Sequence, residues 1–390
     1  MKIAVIADYF LADMGYPKIS LIKTWQKQNH LVKVICGNRY FPFHNYSQTV
    51  RHLIGPRHRL AGIHQEKGIA VNRQPVIFEL FARALFSGIG PWLDKFDPEV
   101  VVVFGITSCS AIQTAITKKF WHHQYRLIMV DSHLPSELSL GNQTVKGGFY
   151  WLFRCCFSKL ITRQTDVFIA TQDQTVDVIR DVYGITSPIQ LIPNGTDTTL
   201  FKKSLTARKK IRRQLAINNQ NLVIIYTGKV IPEKGVDILF KAFNVVATKY
   251  EDIQLLIVGD GSPQYKSKCM SLVNHSLKKK IHWVGYQPQT RLVDYYSAAD
   301  MAIWPLQESL AMNDAASCQL PFIANHTMGD KTRISNDNAL LYKRGDTTDL
   351  TKKITNLYRD KKLRLVMGKK GRQLVEKKLS WQALAKQYLN

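Results

Sequence analysis

Two doubly wound α/β domains with parallel sheets, in tandem, are predicted by three observations. The chain opens on a strand-helix-strand unit, a second series of strands alternating with helices follows a dense turn cluster, and its 390 residues exceed one ordinary core. Residues 2–7 are apolar without strict alternation, as in a strand covered on both faces. A loop over 8–17, a helix over 19–28 and a strand over 31–36 complete a mononucleotide-binding pattern, and Gly15 in its loop permits close backbone approach. Residues 38–75 lack periodicity. They hold His44, His52, His58 and His64 among Arg51, Arg57, Arg59 and Lys67, match no common metal-ligand spacing, and read as a basic surface loop. Residues 77–93, IFELFARALFSGIGPWL, read as a helix packed on a sheet, with a membrane-interface segment as the alternative.

Strands are expected over 100–104, 126–130, 166–170 and 190–192, with a basic, aromatic helix over 149–163. The second of these strands runs into Asp131-Ser132-His133. That puts a histidine at a carboxyl end, where open α/β sheets bind ligands. The turn cluster Pro193-Asn194-Gly195-Thr196-Asp197 marks the domain boundary. Beyond it, strands are expected over 222–227, 254–259, 281–284, 301–304 and 321–324, with a helix over 290–299.

The most informative stretch is NLVIIYTGKVIPEKGV, residues 221–236. Its strand breaks at Gly228, and Lys229 and Lys234 bracket a turn closed by Gly235. Two cations on the loop leaving a parallel strand, followed by a helix N-terminus, suit an anion such as a diphosphate, although lysines in turns are usually solvated.

Composition bounds the function. A net charge of +25 implies attraction to something anionic: nucleic acid, an acidic membrane surface or phosphorylated substrates. Residues 1–200 hold 21 Lys+Arg against 14 Asp+Glu, so 33 against 15 remain beyond, and the second half carries about +18. Six cysteines without a CxxC pair read as reduced thiols. MKIAVIADYF reads as a strand rather than a signal peptide, and the uncharged run over 100–117 as strand, turn and helix rather than a membrane span.

The chain resembles the GT-B glycosyltransferases of retaining family 4, also called glycosyl transferases group 1. The resemblance is carried by MKIAVIADYF with Gly15, IPNGTDTTLF, YTGKVIPEKGVDILFKAF, LLIVGDG, VGYQPQTRLVDYYSAAD and DAASCQLPFIAN, in that order. It implies two Rossmann-like domains facing across a cleft: residues 1–197 binding the acceptor and 198–375 the nucleotide sugar, with a helix over 376–390 returning to the first. The implied reaction moves a sugar, with retention, from a UDP- or GDP-linked donor to a glycan or lipid-linked acceptor such as a polysaccharide or lipopolysaccharide precursor. No metal or other cofactor is implied. The setting is the cytoplasm, free or at the inner face of an anionic membrane.

By the same resemblance, Lys229 and Lys234 clamp the diphosphate, with Lys229 where the family usually has arginine, and Gly228 and Gly15 allow close approach. The family's two donor-binding glutamates lie seven residues apart. Here Asp314 stands for the second, and the first falls on Leu306, so Glu308 is taken as the sugar contact, with Ser309 and Leu310 beside the phosphates. His133 is implied near the transferred sugar and Tyr286 near the base. Two alternatives stay open: an inactive scaffold binding polyanion or nucleic acid, which the displaced glutamate favours, and a nucleotide-sugar epimerase or hydrolase, which would need water or a base in place of the acceptor.

Overall fold

The computed structural model describes residues 1–12, 16–43, 45–121, 124–138, 145–328 and 331–390, so Gly15 and His44 lie outside the described residues. The chain divides into two compact units, Met1–Pro193 with Leu384–Asn390, and Asn194–Ala383.

Strands are labelled in chain order. In the first unit they are β1 (Lys2–Ala7), β2 (Leu31–Gly37), β3 (Gly62–Glu66), β4 (Ile69–Gln74), β5 (Val76–Leu80), β6 (Arg83–Phe86), β7 (Val100–Phe104), β8 (Arg126–Asp131), β9 (Val167–Ala170) and β10 (Ile189–Leu191). Eight of them form one sheet in the order β10-β9-β8-β7-β1-β2-β4-β3, parallel except where β3 meets β4. The near-continuous apolar runs explain its centre: KIAVIA is buried after Lys2, and VVVVF of β7 is buried up to Phe104. The helix Pro17–Lys27 starts with proline in its first turn and drives Trp25 into the core. Trp25 Nε1 donates to the Ala385 carbonyl at 3.0 Å and its ring meets Tyr388 edge-on, which ties the last residues of the chain into this unit.

Two expectations are corrected here. Residues 38–75 are not simply a loop, because β3 and β4 form a hairpin on the sheet edge. The alternation of IAVNRQ is a true half-buried strand, obscured in sequence by Arg73, which is itself buried by bonds to Glu66, the Gly37 carbonyl and the Phe10 carbonyl. Residues 77–93 do not form one helix. They fold as the antiparallel β5–β6 hairpin followed by a helix Ile89–Phe96 that begins after Gly88 at φ 91°. Apolar composition alone did not separate the two, and Phe81 and Ala82 take positive φ at the hairpin turn without the glycine or asparagine that signals one.

The second unit carries β11 (Leu222–Thr227), β12 (Ile253–Val258), β13 (Ile281–Gly285), β14 (Met301–Trp304), β15 (Phe322–Asn325) and β16 (Ala339–Tyr342). All are parallel, in the order β13-β12-β11-β14-β15-β16. From β11 the chain winds outward through β12 and β13, then returns to β14 on its other side. The strand order therefore reverses between β11 and β14, and the crevice at their carboxyl ends is where such sheets bind ligands. β11 is buried at all six positions. Among the described residues no helix is long and apolar enough to cross a membrane.

Candidate functional site

The site of the second unit is built on that strand reversal. Leaving β11, the chain passes Gly228 (φ 139°), Lys229 and a short 3₁₀ turn Pro232–Lys234, then enters the helix Val236–Lys249 through Gly235 at φ 69°. The turn packs closely on its neighbours. A Cβ on Gly259 would lie 1.8 Å from the Gly228 carbonyl oxygen, and one on Gly261 would lie 1.9 Å from that of Val230. The Gly228 amide donates to Val258 and the Gly259 amide to Gly285, so the loops after β11, β12 and β13 are joined in series. Tyr286, half exposed, follows at the end of the third.

From the other side comes the loop after β14. Leu306 sits where a Cβ on Gly235 would fall, 2.5 Å from its Cγ, and the Leu306 amide donates to the Lys234 carbonyl. Lys234 Nζ in turn donates to the Glu308 carbonyl at 3.0 Å. Lys234 is partly buried and Lys229 exposed. Burial lowers the Lys234 pKa, the Lys229 charge lowers it further and Glu308 opposes both, so the two ammonium groups feel one another at the mouth of the turn. Glu308, Ser309 and Leu310 lead into the helix Ala311–Ser317.

Asp314 lies inside that helix and is buried. Its carboxylate accepts a short hydrogen bond from the Thr196 hydroxyl. Burial pushes its pKa up to about 7; Thr196 and Gln289 pull it down, Asp197 raises it and Arg333 lowers it. Next to it, Asn313 Nδ2 donates to the Asn194 carbonyl, and Thr196 pairs through its backbone with Leu379 and Trp381. The helix behind the Glu308 loop therefore grips residues 194–196.

Sequence reasoning missed two supports of this loop. Arg333, buried, donates to the Ser309 carbonyl at 3.0 Å, and Asn325 at the end of β15 donates to the carbonyls of Pro305 and Leu306. Neither carried a local signal, since each acts on backbone about twenty residues earlier in the chain.

His133 belongs to the first unit. At the carboxyl end of β8, Asp131 is buried and accepts from the backbone amides of His133 and Ile106 and from His133 Nδ1, the last at 2.7 Å. Burial works to raise the Asp131 pKa, but the His133 charge and these hydrogen bonds outweigh it and hold the carboxyl below its ordinary value. Tyr183 lies 3.3 Å from the same nitrogen. The ring is thus oriented, with its side chain 42% exposed. Nearby, Asp8 at the end of β1 accepts from the amides of Ala84, Cys109 and Ser110.

The predicted residues therefore fall into two groups. Gly228, Lys229, Lys234, Glu308, Ser309 and Leu310 lie on the loops after β11 and β14, Asp314 in the helix that follows the second loop and Tyr286 on the loop after β13, while His133 stands at the end of β8 in the first unit. Among the described residues no three His, Cys, Asp or Glu side chains gather as a metal site.

Comparison with known proteins bears on both units. A family model described as "Glycosyltransferase Family 4" matches residues 19–200, and one described as "Glycosyl transferases group 1" matches 207–374. The chain is 24% identical over 241 residues to a GDP-mannose-dependent phosphatidylinositol monomannoside mannosyltransferase of Corynebacterium glutamicum, covering 59% of this chain and 62% of that one. It is 22% identical to the capsular polysaccharide biosynthesis glycosyltransferase CapM of Staphylococcus aureus, covering 78% and 88% of the two chains. In fold it resembles Anabaena HepE, solved in complex with UDP, with a TM-score of 0.68 at 16% identity over 100% of this chain and 98% of that one.

Proposed function

The chain belongs to the family 4, group 1 glycosyltransferases of the GT-B fold, and from that premise we propose that it moves a sugar, with retention of configuration, from a nucleoside-diphosphate sugar to a lipid-linked or surface-polysaccharide acceptor. The observation that carries this reading is Lys234, held against the Glu308 carbonyl at 3.0 Å beside Lys229, where the strand order reverses.

The chemistry follows from where charge develops. As the bond from the anomeric carbon to the diphosphate oxygen breaks, negative charge builds on the leaving oxygen, and Lys229 and Lys234 act where it builds. Gly228 lets the backbone approach the phosphates, with Ser309 and Leu310 facing them from the second loop. Glu308 accepts from hydroxyls of the transferred sugar. Asp314 accepts from the ribose, sharing its carboxylate with Thr196, and Tyr286 meets the base. No metal takes part, because the two ammonium groups supply the countercharge. His133, oriented by Asp131, bonds a sugar hydroxyl or orients the acceptor. UDP and GDP are the candidate nucleotides, supported by the HepE complex with UDP and by the GDP-mannose dependence of the Corynebacterium relative. The acceptor class is supported by the phosphatidylinositol and capsular relatives.

A panel of UDP-, GDP- and ADP-sugars, followed by thermal shift and by slow release of nucleoside diphosphate, tests the reading. One donor is expected to stabilise the protein and to be hydrolysed slowly, and Lys234→Ala to lower that turnover about 10²–10³-fold. Silence toward every donor, with tight salt-sensitive binding of polyanions, would instead favour a retired scaffold, the reading that the displaced glutamate suggests.

A further inference from the structure

The β5–β6 hairpin closes on itself at an unusual cost. Its two-residue turn places Phe81 and Ala82 at φ 49° and 56°, a conformation that asparagine and glycine accept far more readily. The bulky residue at the tip is not buried in return, because Phe81 is 37% exposed. Along the same hairpin Ile77 is 68% exposed, and Phe78 and Leu80 stand at half exposure or more. The turn abuts the helix Val145–Cys156: the Phe81 ring lies 6.3 Å from that of Phe149, and the Arg83 guanidinium stacks 4.0 Å from the same ring. Beyond that contact the helix exposes Trp151, at 67%, and Leu152.

The two segments that flank this apolar patch are basic. Residues 38–65 carry Arg39, Arg51, Arg57 and Arg59 and no acid, and residues 145–164 carry four cations and no acid. Both segments reach the hairpin, the first because Glu79 of β5 accepts from Arg39 and Arg57, the second through Arg83 and Phe149. Glu79 also accepts from Tyr9, so one carboxylate serves two arginines and a phenol. Exposed aromatic and aliphatic side chains fringed by a surplus of basic residues, of which Glu79 pairs only Arg39 and Arg57, match an anionic bilayer: the apolar groups enter the acyl boundary and the remaining cations meet lipid phosphates. A protein partner would be expected to cover the patch with acids, and nucleic acid has no use for Ile77 or Leu80.

We propose that the β5–β6 hairpin and the adjoining exposed face of the 145–156 helix form a docking surface for an anionic membrane. Sedimentation with vesicles of mixed phosphatidylglycerol and phosphatidylcholine, without any nucleotide sugar, reads it directly. The whole chain is expected to pellet with anionic vesicles and much less with pure phosphatidylcholine. Binding should fall at least about tenfold for the double substitution Phe78→Glu and Leu80→Glu. The double substitution Phe81→Asn and Ala82→Gly, which suits the turn better and so keeps the fold, should also weaken it. Tryptophan quenching by lipids brominated in the acyl chain should drop in Trp151→Phe. Equal binding by wild type and both double variants, or quenching that ignores Trp151, would overturn the proposal and assign any attraction to the basic charge of the chain at large. Because no donor enters the assay, either result leaves the transfer reading to its own test.

Discussion

Lys234 and Asp314 are both partly or wholly withdrawn from water, and their environments act in opposite senses. Burial and the Lys229 charge lower the Lys234 pKa, so its charge is lost at a lower pH than that of an ordinary lysine, and donor binding should decline early on the alkaline side. Asp314 is raised to about 7 by burial. A carboxyl whose folded pKa lies above its unfolded value contributes most below the unfolded pKa, near 4, and loses that contribution as pH rises through about 7. Asp314→Asn should therefore raise the melting temperature at pH 8 and change it little at pH 4, as followed by calorimetry at the two pH values. Equal effects at both would mean that the carboxyl is not strained by burial. At this scale the placement of Lys229 and Lys234 beside a strand's carboxyl end, and of Asp314 at the helix after β14, follows from local sequence motifs. Arg333 and Asn325 were not legible, because what they hold is a loop far away in the chain.

Elements were legible where period and punctuation agreed. The strand expected over 222–227 is observed there, because a run rich in Val, Ile and Tyr stops at a glycine whose φ of 139° no other residue readily takes. Residues 77–93 read as one helix in sequence, and the β5–β6 hairpin hides in that span because its turn residues, Phe81 and Ala82, give no turn signal. Ala82→Gly removes a positive-φ penalty of about 1 kcal/mol and should raise the unfolding free energy by roughly that amount in a denaturant titration. A loss of stability would show that the turn is relaxed as it stands. β16 was also missed, a strand of four residues, Ala339–Tyr342, seated on the sheet edge beside β15, where short length leaves little pattern to read.

For the whole molecule, the net charge of +25 and the two α/β units were visible in composition and in the alternation of strands with helices. What composition could not do was locate the charge. The structure resolves it into distinct uses: Lys229 and Lys234 beside the strand reversal, Arg73 and Arg212 buried as structural ties, and the arginines around the exposed hairpin. The central claim concerns the first of these, that the loops after β11 and β14 hold a nucleoside diphosphate between Lys229, Lys234 and the Glu308 segment. Titration calorimetry of UDP and GDP into the wild type, Lys229→Ala and Lys234→Ala tests it most directly. One of the two nucleotides should bind the wild type, and each substitution should weaken it about tenfold or more, the worth of one charge-assisted hydrogen bond. A nucleotide that bound all three proteins alike would contradict the claim and move the donor site elsewhere.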